Sequence, residues 1–396
     1  MGKFIPLSVP NLSGNEMQYV AKAVESEWVS TAGGFVDEFE RNMAAYLNVE
    51  AAAACQSGTA GLHLALKLAG TGAGDEVLVP TLTFIAAVNP VTYVGAEPVF
   101  MDCDDTLNMD LDKLETFCKE ECLLSEEGLV NTKTKRIIRA IVVVHVFGNM
   151  IDMEKLMDIA SAYRLKVVED ATEALGTYCT SGRFSGKFAG TIGDFGVFSF
   201  NGNKIMTTGG GGMLVARDPA LVRKARYLGG QAKDDGLNYI HHEIGYNYRM
   251  TNLQAALGVA QLEQLELFIA IKTRNYELYR ERIEQLAGLS MFPFNASTRP
   301  NYWFYSLVID NSQFPLSRDE LLKELANHNI QTRPVWGLIH QQRPYQNNQS
   351  YHIKKAVYYA DRLLNIPCST NLETADVETV VAVLSKLQTG QKEVQR

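Results

Sequence analysis

No two cysteines in this chain have the CxxC spacing of a zinc ribbon or a dithiol redox centre. The six present (Cys55, Cys103, Cys118, Cys122, Cys179, Cys368) are too few in 396 residues for a disulfide framework. They read as reduced thiols in or near a core, with Cys118 and Cys122, four apart, able to share a helix face. Long apolar runs are missing too. Stretches such as Ile137 to Phe147 fall well short of the roughly 20 residues a bilayer-spanning helix needs. The opening Met1-Gly2-Lys3-Phe4-Ile5-Pro6 has no apolar targeting segment, and Pro6 stands where a myristoylation site needs Ser or Thr. A cytoplasmic protein with no membrane partner is expected. Basic residues are scattered and outnumbered, 37 against 45 acidic for a net charge of −8, which excludes the clustered cations that nucleic-acid binding relies on. No strand pattern leads into GxGxxG, which disfavours a nicotinamide dehydrogenase. Repeats, low-complexity segments and flexible linkers are also lacking.

What is present is an ordinary globular composition, 46% apolar and 21% charged, in a length that suggests two closely packed domains. From about residue 55 to 230, short β-branched runs alternate with helix-length amphipathic stretches, the pattern of a mainly parallel sheet covered on both faces. Strands are expected at 76–80, 98–101, 139–147 and 165–170, with a helix over Asp152 to Tyr163 completing a βαβ unit. Val197 to Phe200 reads as a further strand, Asn201-Gly202-Asn203 as a turn, and Gly212 to Ala216 as the return strand. A long helical pattern runs from Asn252 towards Leu278. A smaller α+β domain comes after it, with strands near 303–309 and 332–336. The division expected is 1–250 for the large α/β domain and 251–396 for the smaller one.

Three segments have the makings of a site. Gln56-Ser57-Gly58-Thr59-Ala60-Gly61 places hydroxyls and free N–H groups before a helical run, which suits an anion and equally suits a plain N-cap. Asp170 ends a buried-type strand, where ligands gather in open α/β sheets, or it serves only as an N-cap for the next turn of chain. Lys204 sits on a crowded turn among Gly202, Thr207, Thr208 and Gly209 to Gly212. Desolvation there lowers an amine's pKa and makes it nucleophilic, although most lysines are solvated surface charges.

Taken in order, the motifs resemble one family. They are Ser57-Gly58-Thr59-Ala60, Pro80-Thr81-Leu82-Thr83-Phe84, Pro98-Val99-Phe100-Met101-Asp102 and His145-Val146-Phe147-Gly148-Asn149. Further along the chain come Glu169-Asp170-Ala171-Thr172-Glu173-Ala174, Gly193 to Phe200 and Gly245-Tyr246-Asn247-Tyr248-Arg249-Met250. This set is similar to the DegT-type nucleotide-sugar aminotransferases, which have the fold-type-I, aspartate-aminotransferase-like architecture. The resemblance implies pyridoxal 5′-phosphate as cofactor, with the pyridoxamine form as intermediate, and a homodimer with shared active sites. It gives Lys204 the Schiff-base role and pairs Asp170 with the pyridine nitrogen. Phe84 would stack on the ring, while Gly58, Thr59 and Ser199 would bind the phosphate together with Asn247 of the neighbouring subunit.

Two departures stand out. Glu173 occupies a position where the family often has Gln, and Gly209 to Gly212 replaces a common Gly-Glu-Gly-Gly. Glu173 is retained among the cofactor-binding candidates. Arg249, Arg333, Trp336 and His340 are candidates for substrate contacts. The run Phe200 to Thr208 with its four glycines looks most like the branch that aminates C4 of UDP-linked 4-keto-6-deoxy-N-acetylhexosamines, of bacillosamine and legionaminic-acid synthesis, with glutamate as donor. A sugar dehydratase on the same cofactor, or a non-catalytic regulatory protein on the same fold, are the alternatives. Lys204 argues against the first, whose resembling members replace the lysine with histidine.

Overall fold

A computed structural model describes residues 3–390. Seven strands carry its main sheet: β1 (Ala53–Cys55), β2 (Asp75–Pro80), β3 (Glu97–Met101), β4 (Ile137–Val144), β5 (Lys166–Asp170), β6 (Phe195–Ser199) and β7 (Gly212–Ala216). Their spatial order is β1-β7-β6-β5-β4-β2-β3. Neighbours from β6 to β3 run parallel, and β7 is antiparallel to both β6 and β1. Six of these seven strands therefore have their carboxyl ends at one edge of the sheet, and β7 runs the other way.

Side chains alternate across this sheet, as a period of two requires. Leu78, Ile141, Val143 and Val167 join one buried cluster, while Val77, Val79, Val142 and Val168 join another on the opposite face. Both faces are covered, which explains why β4 reads as an almost unbroken apolar run. The helix Gly58–Leu68 lies on the second face. Gly61 admits it there, because a Cβ at that position would come within 2.7 Å of Val197 Cγ1. Asp152 accepts hydrogen bonds from the N–H groups of Glu154 and Lys155 and starts the helix Met153–Ala162, as expected.

The smaller sheet has the order Leu289–Met291, Tyr305–Ile309, Leu363–Ile366, Arg333–Pro334, all antiparallel. Long helices, Leu265–Ile283 and Thr374–Gln388, pack with it. The chain interlaces the two units. Ile5 bridges to Ile330 and Cys368 N–H donates to Leu7 O, so the N-terminal segment lies along the smaller unit. Ser350–Tyr351 in turn adds a parallel strand to β3.

Three local expectations are corrected. The helical pattern from Asn252 is two helices, Asn252–Leu262 and Leu265–Ile283, broken where Glu263 and Gln264 turn their side chains onto Asn15, Tyr19 and Glu16. Cys118 and Cys122 do not share a helix face: the helix ends at Glu120 and Cys122 begins a strand paired with Leu129–Asn131. The strand expected over 332–336 shrinks to Arg333–Pro334, since only these two residues find a partner, on Leu363–Ile366. All six cysteines are free thiols.

Candidate active site

The carboxyl edge of the main sheet gathers the site. Ser57 caps the helix Gly58–Leu68, its Oγ accepting from Ala60 N–H at 3.1 Å, so the helix begins inside the segment expected to precede it. The capping reading of this segment is therefore realised, and the first turn still points orphan N–H groups, with the positive end of the helix dipole, at the sheet edge. A Cβ on Gly58 would stand 3.0 Å from both Ser199 Cβ and Thr172 Cγ2, so glycine keeps open the space between the helix start and the end of β6.

A cavity of about 260 Å³ lies there. Its lining includes Gly58, Thr59, Phe84, Asp170, Thr172, Glu173, Ser199, Asn201 and Lys204. Seven of the sequence-derived cofactor candidates thus meet in one place. Asp170, the last residue of β5, is buried and accepts from Thr172 N–H at 3.1 Å. Burial pushes its carboxyl up, against the pull of Thr172 and Lys204. Phe84 is 53% exposed, so it is not a core aromatic and leaves a ring free at the cavity.

Lys204 lies on the turn after β6, its N–H bonded to Asn201 O. Its Nζ is 3.7 Å from Glu173 Oε1 and 4.0 Å from the centre of the Trp303 ring. Burial drives the amine's pKa down, opposed by Glu173 and Asp170. Glu173 is almost wholly buried and is held by Phe147 N–H at 2.8 Å. Phe147 is in the left-handed region (φ 57°), which a bulky residue enters only when its surroundings compel it. Burial lifts the Glu173 carboxyl to about 7.

Other candidates fall elsewhere. Asn247 is exposed and lines a separate depression with Arg249, Arg223, Arg226 and Lys233, outside the Lys204 cavity of its own chain. Arg333 is exposed, with Nη1 on Thr332 O at 3.1 Å. Trp336 lines a groove with Arg318 and Leu338, its ring 5.0 Å from that of Phe147. His340 does approach the site from the smaller unit: Nδ1 is 2.6 Å from Thr81 Oγ1, three residues before Phe84, and burial lowers its pKa. Trp303 was missed. The sequence showed only an aromatic near a strand, and the contact with Lys204 joins segments almost a hundred residues apart.

Residues 10–385 match the model of the DegT/DnrJ/EryC1/StrS aminotransferase family. The chain belongs to this family. Among its relatives is the GDP-perosamine synthase of Caulobacter vibrioides, 39% identical over 97% of this chain and 98% of the relative. The GDP-perosamine synthase of Escherichia coli O157:H7 is 38% identical over 88% and 89%. The aminotransferase TlmJ of Streptoalloteichus hindustanus superposes with a TM-score of 0.87 at 27% identity, over 98% of this chain and all of that structure. The fold is thus type I, and the protein is a sugar aminotransferase that uses pyridoxal 5′-phosphate. The two perosamine synthases are named for a GDP-linked sugar, so the UDP branch expected from Phe200 to Thr208 finds no support in their names.

The residues fit the cofactor. A buried carboxyl raised by burial lacks a full cationic partner, a primary amine depressed by burial stands opposite it, and an open cradle at Gly58 adjoins a helix start.

Proposed function

We propose that this aminotransferase moves an amino group from glutamate to the C4 ketone of a nucleotide-linked 4-keto-6-deoxy sugar. The observation that carries the reading is the meeting of Lys204, Asp170, Phe84, Ser199 and the Gly58–Thr59 turn in one cavity at the carboxyl edge of the sheet. In this reading Gly58, Thr59 and Ser199 would hold the phosphate, Asp170 the pyridine nitrogen, Phe84 one face of the ring, and Lys204 the cofactor's aldehyde carbon. When bound, pyridoxal phosphate supplies the electron sink that lets nitrogen be taken from one substrate and given to another. Lys204 Nζ carries the proton between substrate carbon and cofactor carbon, a general acid–base contribution of roughly 10² to 10⁴ in rate. Asp170, kept from water, holds a positive charge on the ring.

Asn247 serves the site of a second subunit, so the working unit is a homodimer. Its position outside its own chain's cavity supports this, as do the exposed apolar side chains Leu237, Tyr239 and Ile244 around the strands Lys233–Asp235 and Ile240–His241. Arg249, beside Asn247, belongs to the same shared site, and Arg333, Trp336 and His340 edge the substrate entrance.

The names of the two perosamine synthases support a GDP-linked sugar. The second reading, a UDP-linked N-acetylhexosamine, rests on the run Phe200 to Thr208. Assaying GDP-, UDP- and dTDP-linked 4-keto-6-deoxy sugars with glutamate decides between them. Amination of the GDP substrate at kcat/KM at least tenfold above the others is expected. No amination of any of the three removes the proposed reaction.

A further inference from the structure

The amine of Lys204 lies between two walls. One is the indole face of Trp303, 4.0 Å from Nζ to the ring centre, and the other the Glu173 carboxyl, with Oε1 at 3.7 Å. Neither wall is free to drift. Trp303 is buried, stacks on Phe304 at 4.1 Å with 10° between the rings, and donates from Nε1 to Asn203 O at 2.8 Å, the residue just before the lysine. Its backbone carbonyl accepts from the buried Lys272 Nζ at 2.9 Å. A single side chain ties the walls together: Asn301 accepts from Trp303 N–H through Oδ1 at 3.0 Å and donates through Nδ2 to Glu173 O at 2.9 Å.

We propose that Trp303 and Glu173 form a two-walled seat for the Lys204 ammonium, and that Trp303 is a positioning residue for the lysine's proton transfers. The proposal rests on the reading of Lys204 as the reactive amine. A cation over an indole is stabilised by the ring quadrupole, most strongly where water is excluded. Glu173, when ionised, adds a nearby negative charge, and Asp170 a more distant one. The seat thus favours the charged amine against the burial that disfavours it. It also gives the lysine a defined position, within reach of its work, whenever its nitrogen is not bonded to the cofactor.

The seat is tested by the acylation of Lys204, which only the uncharged amine undergoes. Full-length enzyme reconstituted with pyridoxamine 5′-phosphate is treated with a trace amine-acylating reagent at pH 7.5, and each lysine is quantified by peptide mapping. Fluorinated tryptophan, incorporated at Trp28, Trp303 and Trp336, drains the ring quadrupole without altering shape; Lys204 should then acylate about two- to tenfold faster while the other lysines keep their rates. Trp303→Leu and Glu173→Gln should each do the same, and Trp303→Phe, which retains an aromatic face, should stay close to wild type. Unchanged or slower Lys204 acylation with fluorinated tryptophan overturns the seat even where Trp303→Leu fails to fold. A different lysine fixed by borohydride in the pyridoxal form would instead break the functional reading, and the acylation ratios would still be measured.

Discussion

Replacing Asp170 with asparagine keeps the size and shape of a side chain that lines the cavity at the end of β5 and removes its charge. Thr172 N–H, 3.1 Å from Oδ1, holds the new amide with its oxygen towards that donor, which leaves the NH2 group for the cavity. An NH2 group cannot accept from a protonated pyridine nitrogen; it can only donate to a neutral one. The ring therefore loses its positive charge and with it most of its capacity to accept electrons. Breaking a buried ion pair by removing one partner costs about 3–5 kcal/mol, which corresponds to a loss of about 10²- to 10⁴-fold in rate if the full cost appears at the proton-transfer barrier. With the phosphate held, as proposed, by Gly58, Thr59 and Ser199, cofactor content should stay near one per chain. Single-turnover mixing with glutamate, followed through the visible band of the bound cofactor, measures the rate, and alkaline release measures the content. A variant that retains the cofactor and reacts within threefold of wild type would falsify the role given to Asp170.

Three further outcomes are expected from particular contacts. Gly61→Ala should destabilise the fold by about 1–2 kcal/mol in urea unfolding, since its Cβ meets Val197 Cγ1 at 2.7 Å and overpacking outweighs the gain in helix propensity; a loss in Gly61→Ala/Val197→Ala equal to the sum of the single losses would show that the two do not collide. Burial raises the Glu173 carboxyl from its ordinary 4.5 to about 7, so as pH climbs through that window the unfolded chain gives up its proton first and the fold loses up to roughly 3 kcal/mol. Melting temperatures of cofactor-free protein between pH 5 and 7.5 should fall less steeply in Glu173→Gln, and parallel slopes would refute the assignment. Co-expressed Lys204→Ala and Asn247→Ala chains should regain activity, up to about half of wild type per heterodimer, because in the proposed homodimer both lesions fall in one of two shared sites; verified heterodimers without activity would return Asn247 to its own subunit.

The motifs most readable in the sequence were those whose role is local. Gly212–Ala216 pairs in full with β6 and over Gly212 to Leu214 with β1, and the helix expected from Asp152 begins there, because a return strand and a first turn are decided by residues close in the chain. Asp170, Lys204 and the Gly58–Thr59 turn were legible by order and type, and the fold brings them to one edge. The break at Glu263–Gln264 was not legible: helical periodicity continues across it, and what stops the helix is a set of side-chain contacts to residues 14–19, some 250 positions away. Trp303 escaped for the same reason, since nothing in Asn301 to Tyr305 signals a lysine a hundred residues upstream. The division after residue 250 remains a proposal; the helix Asn252–Leu262 packs on the helices Glu16–Glu25 and Gly34–Leu47 of the large unit.

Because residues 5 to 9 lie along the smaller sheet and Ser350–Tyr351 extends the larger one, each unit borrows a strip of chain from the far end of the sequence. No single cut then yields two pieces that each own a complete sheet. A protease nicking an exposed connection would leave fragments still gripping one another, and a gene split at the middle would need both products together. Synthesis in chain order also leaves Ile5 and Leu7 without their partners until Ile330 and Cys368 have been made. The strip that completes the smaller unit is therefore made long before the chain it closes on.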